Sequence, residues 1–334
     1  MTQPSILITI PVFNDWKSLN RLMIQLNETL MFEQLEADVL ILNDGSSIAY
    51  QEEISLPKLT NIDQVHLVDL KRNLGHQRAI VVGLAYIEER LDHEITVVMD
   101  SDGEDSPTDI PKLVNECLNQ QGKKIIFARR TQRSETWLFR LFYKIYQSLF
   151  KSLTGENIAV GNFSVIPRQL LPRVVILSEI WNHYAAGILK AKLPFATIPC
   201  KRGTRLVGRS HMNFVSLVMH GLSAISVYGD VIGIKALLAA ILLMLGCVLL
   251  ITLVVSVRIA VPNWAPYVAG LSFIIFLQCM TVSLAFVFLT LSGRNNFSFL
   301  PTRDYQYFIL EVKQIFSLNQ INQSLNSSTY TDME

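Results

Sequence analysis

The chain has 334 residues, with 29 Lys+Arg against 28 Asp+Glu and a formal net charge of +1. So even a balance excludes the basic footprint of a nucleic-acid binder and points to no strongly charged partner. Half the residues are hydrophobic and the mean hydropathy is +0.32, high for a soluble protein.

Residues 5–128 alternate strand and helix patterns. SILITIPVF (5–13), ADVLILND (37–44), QVHLVDL (64–70), EITVVMD (94–100) and KKIIFARR (123–130) read as buried strands. Trp16–Leu30 and HQRAIVVGLAYIEERL (76–91) have helical spacing, and Pro107 and Pro111 bracket the start of a helix running to about Gln120. This alternation predicts an α/β fold, a mostly parallel sheet flanked by helices. Ligands of such sheets sit at the carboxyl ends of the strands. Three strands end in polar signatures: Asn14-Asp15, Asn43-Asp44-Gly45-Ser46 and Asp100-Ser101-Asp102. Parallel strands would bring these groups to one rim.

The pattern then changes. ETWLFRLFYKIYQSLFKSL (135–153) has helical spacing with Arg140, Lys144 and Lys151 interleaved, which suits a core helix or one lying on a membrane surface. Residues 212–230 read as an interfacial helix. Residues 236–257 carry no charge, and as a helix would be about 33 Å long, enough for a bilayer core of about 30 Å. A second apolar run follows at about 265–291, after a turn holding Pro262, Asn263, Trp264 and Pro266. Lys201, Arg202, Arg205, Arg209 and Lys235 precede the first run; Arg294, Arg303 and Lys313 follow the second; the turn has only Arg258. That asymmetry predicts an inner (plasma) membrane hairpin with both large segments and both termini cytoplasmic. No signal peptide is recognised at the N-terminus. Cys117, Cys200, Cys247 and Cys279 have no metal-like spacing and suit a reducing compartment. The expected divisions are a catalytic domain at 1–211, an interfacial helix at 212–232, a transmembrane hairpin at 233–293 and a tail at 294–334, disordered from about 319.

The strand VVMD runs into Asp100, Asp102, Glu104 and Asp105, with Asp109 just beyond. Carboxylates this close repel by roughly 1 kcal/mol or more per pair even near solvent, so a positive partner is expected. In a tight turn Asp100 and Asp102 can reach one cation, and oxygen-only ligation suits Mg²⁺ or Mn²⁺, which also takes substrate phosphates. There is no P-loop, no G-x-G-x-x-G and no His/Cys set for zinc.

IPVFND (10–15), LNDGSS (42–47), KRNLGHQRAIVVGL (71–84) and MDSDGEDSPTDIPKL (99–113) occur in the order and spacing of family 2 glycosyltransferases. The chain resembles the branch with two C-terminal membrane helices, the polyprenyl-phosphate sugar transferases similar to dolichyl-phosphate mannose synthase. The resemblance covers about 1–300. It implies a GT-A-type fold, a nucleotide-sugar donor, a polyprenyl phosphate or other lipid-linked acceptor, an inverting reaction and a divalent cation. Carried over by position, Pro11, Val12 and Asp15 would line the base pocket and Asp44 would bond the base edge. Asn73 and Gly75 would shape the adjoining loop, Asp100 would lie near the ribose and diphosphate, and Asp102 would hold the metal. Glu104 would contact sugar hydroxyls or cap the following helix, as would Asp105, and both stand with Asp100 and Asp102 as catalytic candidates.

Arg129, Arg130, Arg133, Arg205, Arg209 and Ser210 are candidate phosphate or acceptor holders, and Gly208-Arg209-Ser210 matches a mobile G-x-S loop of the family. Basic residues beside a span need no ligand, however, since positive charge collects there for topology alone. Within GNFSVIPR (161–168) the chain departs from the family: many relatives have aspartate, the usual candidate base, where Asn162 stands. An amide takes no proton at neutral pH. A lipid phosphate needs no base; a hydroxyl acceptor would need one elsewhere, from Glu104, Asp105 or Glu179. His76 suits capping or packing as well as chemistry, His183 the core or an acceptor groove, and His220 a structural part. Alternative readings are transfer to another membrane-linked glycan or lipid headgroup, and a non-catalytic membrane scaffold; the two hairpin helices also suit homo-oligomer contacts. The absence of Q-x-x-R-W argues against a polysaccharide synthase.

Overall fold

The computed structural model describes residues 3–53, 59–130, 137–157, 160–208, 214–257, 265–295 and 299–318. It divides into two compact units. The first comprises Met1–Leu141, Ile158–Val227 and Phe299–Glu334; the second comprises Phe142–Asn157 and Tyr228–Ser298.

The first unit is built on one sheet. Its strands are β1 (Ile6–Val12), β2 (Ala37–Asn43), β3 (Ile62–Leu70), β4 (Ile95–Val98), β5 (Ile125–Arg130), β6 (Ser164–Pro167), β7 (Phe195–Cys200) and β8 (Ile309–Ser317). Their spatial order is β7-β5-β6-β4-β1-β2-β3-β8. β4, β1, β2 and β3 are mutually parallel, as are β5 and β7, while β6 and β8 run antiparallel to their neighbours. Because β6 reverses direction between β4 and β5, those two strands point the same way.

Period-two alternation assigns the two faces. Ile6, Ile8, Ile10 and Val12 turn toward the helix Trp16–Phe32, against Leu19, Leu22, Met23 and Leu26. Leu7, Leu40, Leu42 and Val68 turn the other way, toward Ile80, Val81 and Leu84 of the helix His76–Arg90. Both faces are covered, which is why these strands read as continuous apolar runs. The five strands and the two long helices expected from sequence are all present within a few residues. β6, β7 and β8 are additions. β8 comes from the stretch expected to be a tail, and it pairs with β3 from Gln64↔Ser317 to Leu70↔Ile309.

In the second unit the helices Gly229–Val257 and Ala265–Asn295 lie against each other, burying Cys247, Val254, Ser272 and Ser283. Segments Gly229–Val254 and Tyr267–Phe286 are long and apolar enough to cross a membrane. Leu242 and Leu249 are 70% and 74% exposed, which a soluble protein's core helix would not allow. The helix Trp137–Thr154 is no enclosed core helix either. Ile145 and Leu149 are half exposed, and Phe150 alone among its larger described apolar residues is buried, edge-on to Tyr228 at 5.6 Å. The turn 258–264 lies outside the described residues.

His183 is not within a helix but caps one. Its Nδ1 accepts from the Ala186 N–H (3.2 Å) at the start of Tyr184–Lys190. The proton therefore sits on Nε2, which lies 3.2 Å from Nε2 of His220 in the helix Phe214–Ser226. Burial, and then the neighbouring His220, push the His183 pKa down to about 3.

Two expectations follow. A chain ending at Phe308 leaves the β3 edge unpaired and should lower the unfolding midpoint of the first unit by about 5 °C or more, read by differential scanning fluorimetry. His183 stays neutral in the folded state while the unfolded imidazole titrates near 6.5. Stability should therefore fall as pH drops from about 6.5 toward 3, by at most about 1.4 kcal/mol per pH unit. His183→Asn, which keeps a capping oxygen and removes the titration, should flatten that acid limb in pH-dependent urea melts.

Candidate active site at the sheet rim

β1, β2 and β4 end side by side, so the loops after them share one rim. The turn after β2 is held from both sides. Asn14 Oδ1 accepts from the backbone N–H groups of Ser47 and Ile48, and the Asn14 N–H donates to Ser46 Oγ. Gly45 has φ +66°, and a Cβ there would lie 2.5 Å from the Arg72 carbonyl carbon, so only glycine lets this turn meet the 71–75 loop. Asp44 is buried, and its two carboxylate oxygens accept from Leu74 N–H (2.7 Å) and Gly75 N–H (2.9 Å). Burial raises its pKa, against those two bonds.

The acids after β4 face each other and their own cations. Glu104 pairs with Arg202 (Nη2 to Oε2 2.5 Å) and lies 3.7 Å from Arg130 Nη1. Asp105 accepts from Asp100 N–H through Oδ2 (3.1 Å) and from Arg130 Nη2 through Oδ1 (3.3 Å). Asp102 accepts the Glu104 N–H through Oδ1 (2.9 Å) and the Arg205 Nη1 through Oδ2 (3.2 Å). Arg205 extends Nη2 to Asp15 Oδ2 (2.5 Å), and Asp15 Oδ1 accepts from Ser18 (2.6 Å). Asp100 Oδ1 lies 2.9 Å from His76 Nε2.

Neutralisation is incomplete. Burial and the adjacent Asp100 push Asp105 up to about 7, and the same two influences raise Asp102. Burial works against ionised Asp100, but the His76 charge and hydrogen bond, with Arg130 and Asn162, hold its pKa below the usual carboxylate range. Burial likewise opposes a charged His76, and Asp100, Asp105 and Asp102 together raise it.

A chain of amides fixes what stands opposite Asp100. The backbone N–H of Tyr184 is an unambiguous donor and bonds Gln77 Oε1 (2.7 Å). Gln77 must then present its NH₂ to Asn162 Oδ1 (3.1 Å). Asn162 in turn presents its NH₂ to the Asp100 carboxylate, and its Nδ2 lies 3.0 Å from His76 Nε2, whose own proton goes to Asp100. Asn162 is thus a donor in this site, and nothing in its position accepts a proton.

Several expected roles change. Neither Glu104 nor Asp105 caps the helix Ile110–Asn119; each is held by arginine, since carboxylates this close are stabilised by pairing. Each Asp44 oxygen accepts one bond from the 74–75 backbone. Val12 lies in the core, Pro11 is buried beside it, and Phe13 is the first exposed side chain there. Asn73 is exposed next to Gly75, which begins the helix His76–Arg90. Arg129 is exposed at the end of β5, while Arg133, Arg209 and Ser210 lie outside the described residues. His76, Gln77 and Arg202 belong to the site and were not singled out for it. The G-H-Q at a helix start after the third strand was the available signal for the first two.

Among the described residues no three His, Cys, Asp or Glu side chains form a metal cage. Asp100 Oδ1 is buried without a well-aligned hydrogen bond, and Asp100 and Asp102 raise each other's cost of ionisation. Two such carboxylates fit an ion of the Mg²⁺ type, which is commonly taken by one or two carboxylates and completed by water and substrate phosphates.

Residues 7–177 match the domain described as Glycosyl transferase family 2. The chain is 24% identical over 260 residues to the undecaprenyl-phosphate 4-deoxy-4-formamido-L-arabinose transferase of Proteus mirabilis, covering 71% of this chain and 74% of that protein. The protein of the same name from an Enterobacter species is 25% identical over 274 residues, covering 77% and 78%. Glucosyl-3-phosphoglycerate synthase from Mycobacterium tuberculosis, solved with Mn²⁺, UDP-glucose and phosphoglyceric acid, shares the fold at TM-score 0.50 and 14% identity, covering 69% of this chain and 80% of that one. With the acids, the parallel rim and the sequence match all in one catalytic unit, the chain belongs to glycosyltransferase family 2.

Proposed function

We propose that this glycosyltransferase moves a sugar from a nucleotide-sugar donor to a polyprenyl phosphate. The observation that carries the acceptor class is Asn162. The position usual for the base is a hydrogen-bond donor, oriented by Gln77 and the Tyr184 N–H. A hydroxyl acceptor has a proton to lose during attack; a phosphate oxygen is already ionised and needs only to be positioned. The relatives named as undecaprenyl-phosphate transferases support the same class, and the two apolar helices suit an acceptor whose tail lies in a bilayer.

In this reading the acceptor oxygen forms its bond to the anomeric carbon as the bond to the nucleoside diphosphate breaks on the opposite face, with inversion. Asp15, Asn73, Gly75 and the Asp44-held turn, with Pro11 and Val12 beneath, shape the nucleotide side. Asp100 and Asp102 would hold a divalent cation, Mg²⁺ or Mn²⁺, which when bound supplies Lewis-acid stabilisation of the departing diphosphate. The neighbour solved with Mn²⁺ and UDP-glucose supports that choice. Asn162 and His76 keep Asp100 ionised and oriented. Arg129, Arg133, Arg209 and Ser210 are the candidates to receive the acceptor phosphate.

Residues on both sides of the apolar pair fold into the same unit, since β8 joins the sheet begun by β1. The chain must therefore cross a bilayer an even number of times between Val227 and Phe299. That supports a hairpin, with the catalytic unit on the Lys- and Arg-rich cytoplasmic side and positions 212–232 interfacial.

The test uses the purified full chain in lipid nanodiscs with undecaprenyl phosphate, undecaprenol and a panel of UDP- and GDP-sugars. Transfer to the phosphate and not to the alcohol is expected, and chelation should abolish it. Asp102→Asn should lower kcat/KM by about a hundredfold or more. Asn162→Asp sets a second carboxylate against Asp100 and should cost about tenfold or more. Transfer to undecaprenol by the unmodified chain, or full activity of Asn162→Asp, would overturn the acceptor assignment.

A further inference from the structure

The loop after β7 lies across the acid turn and is bonded to it through backbone and side chains. Gly203 N–H donates to Glu104 O (2.8 Å), and Leu206 N–H donates to Asp102 O (2.9 Å). The two chains are so close that a Cβ on Gly203 would fall 2.3 Å from Gly103 O, and one on Gly103 would meet Leu206 Cγ at 2.4 Å. From the other side, Arg21 Nη1 donates to Leu206 O (2.9 Å). Arg202 is bound to Glu104. Arg205 is the centre of the strap: its guanidinium spans Asp102 and Asp15, and its Nε–H donates to Val207 O (3.0 Å).

Both oxygens of Asp102 are thereby used. Oδ1 is tied within its own turn by the Glu104 N–H, two residues away. Among the described residues Oδ2 is held only by Arg205, so it is the oxygen that a movement of residues 201–207 releases. We infer that Arg205 is an internal counter-ion that competes with the divalent cation for Asp102, so that seating the ion requires the 201–207 strap to let go. This rests on the reading of Asp100 and Asp102 as cation ligands. Arg205 is a positioning residue in this arrangement. The same displacement that admits the ion frees the Arg205 guanidinium and the Asp15 carboxylate beside the donor side of the rim. It couples donor-side chemistry to the position of a loop that continues directly toward Arg209 and Ser210 in sequence.

The effect on affinity has a simple size. A strap shut for about nine-tenths of the time weakens apparent cation binding about tenfold. The experiment measures binding of Mn²⁺ alone to the full chain in nanodiscs, by electron paramagnetic resonance of the free ion, with hydrogen exchange of the 201–207 peptide alongside. Arg205→Gln is expected to tighten Mn²⁺ about tenfold. Gly203→Ala, which keeps the guanidinium but has no room for its methyl against Gly103 O, is expected to do the same. Arg72→Gln, in the exposed loop after β3, removes one charge from the rim without touching the strap and is expected to change binding less than threefold. Mn²⁺ should speed exchange at 201–207 in the unmodified chain, and exchange there should already be fast in Arg205→Gln. An unchanged or weaker Mn²⁺ affinity in Arg205→Gln, or an equal gain in Arg72→Gln, overturns the competition while leaving the cation site standing, provided Asp102→Asn abolishes binding. Binding that survives Asp102→Asn, or no binding in any form, overturns the cation site and the competition together.

Discussion

The rim is organised by one electrostatic problem. Asp100, Asp102, Glu104 and Asp105 fall within six residues at the end of a buried strand, and at an effective dielectric of about 20 two charges 4 Å apart still interact by about 4 kcal/mol. The chain meets that cost with cations drawn from elsewhere in its length. Arg130 comes from the end of β5, Arg202 and Arg205 from the loop after β7, and His76 from the helix start that follows β3. Each carboxylate therefore has a partner only once the sheet is assembled, so the fold and the charge state of the site depend on each other. The balance is left short. Asp105 and Asp102 keep raised pKa values, which is the condition under which an added cation is favoured rather than merely tolerated.

The topology explains why so many distant segments meet. In a parallel sheet the carboxyl ends of β1, β2, β3 and β4 share an edge, and every loop after them opens on it. β6 contributes by running backwards. Its first residue, Ser164, pairs with the last of β4, Val98, so Asn162, two residues before the strand, arrives beside Asp100. β7, parallel to β5, ends at Cys200 on the same edge and hands over directly to the strap. A different direction for either strand would leave the acids without Arg202 and Arg205, or without the amide that faces Asp100.

Much of this was legible from the sequence, and the limits have physical causes. β1 to β5 were readable because burial on both faces makes them unbroken apolar runs. β6 has four residues and ends in proline, and β7 carries proline near its end, so neither offers a long pattern. β8 alternates charged and apolar residues as an exposed edge does, and its partner β3 lies more than two hundred positions earlier. Nothing local ties the two, so the stretch read as tail. The acids announced themselves by their spacing. Their partners did not, because Arg202 and Arg205 sit in a basic run whose presence beside a membrane span needs no other reason. His76 was visible only as a histidine at a helix start, where capping is the common role.

Asn162 shows how a single neutral residue can define the chemistry of a charged site. An aspartate there would add a fifth carboxylate beside Asp100 and would compete with it for His76. The amide instead donates toward Asp100, and it can do so only because Gln77 claims its oxygen and the Tyr184 backbone fixes Gln77. A proton acceptor has thus been exchanged for a group that helps keep Asp100 ionised. In the proposed reading the attacking oxygen arrives without a proton to lose, so no base is called for at this position. The acceptor's own phosphate would then make the base unnecessary, and Asp100 and Asp102 would be left to hold positive charge against the leaving diphosphate.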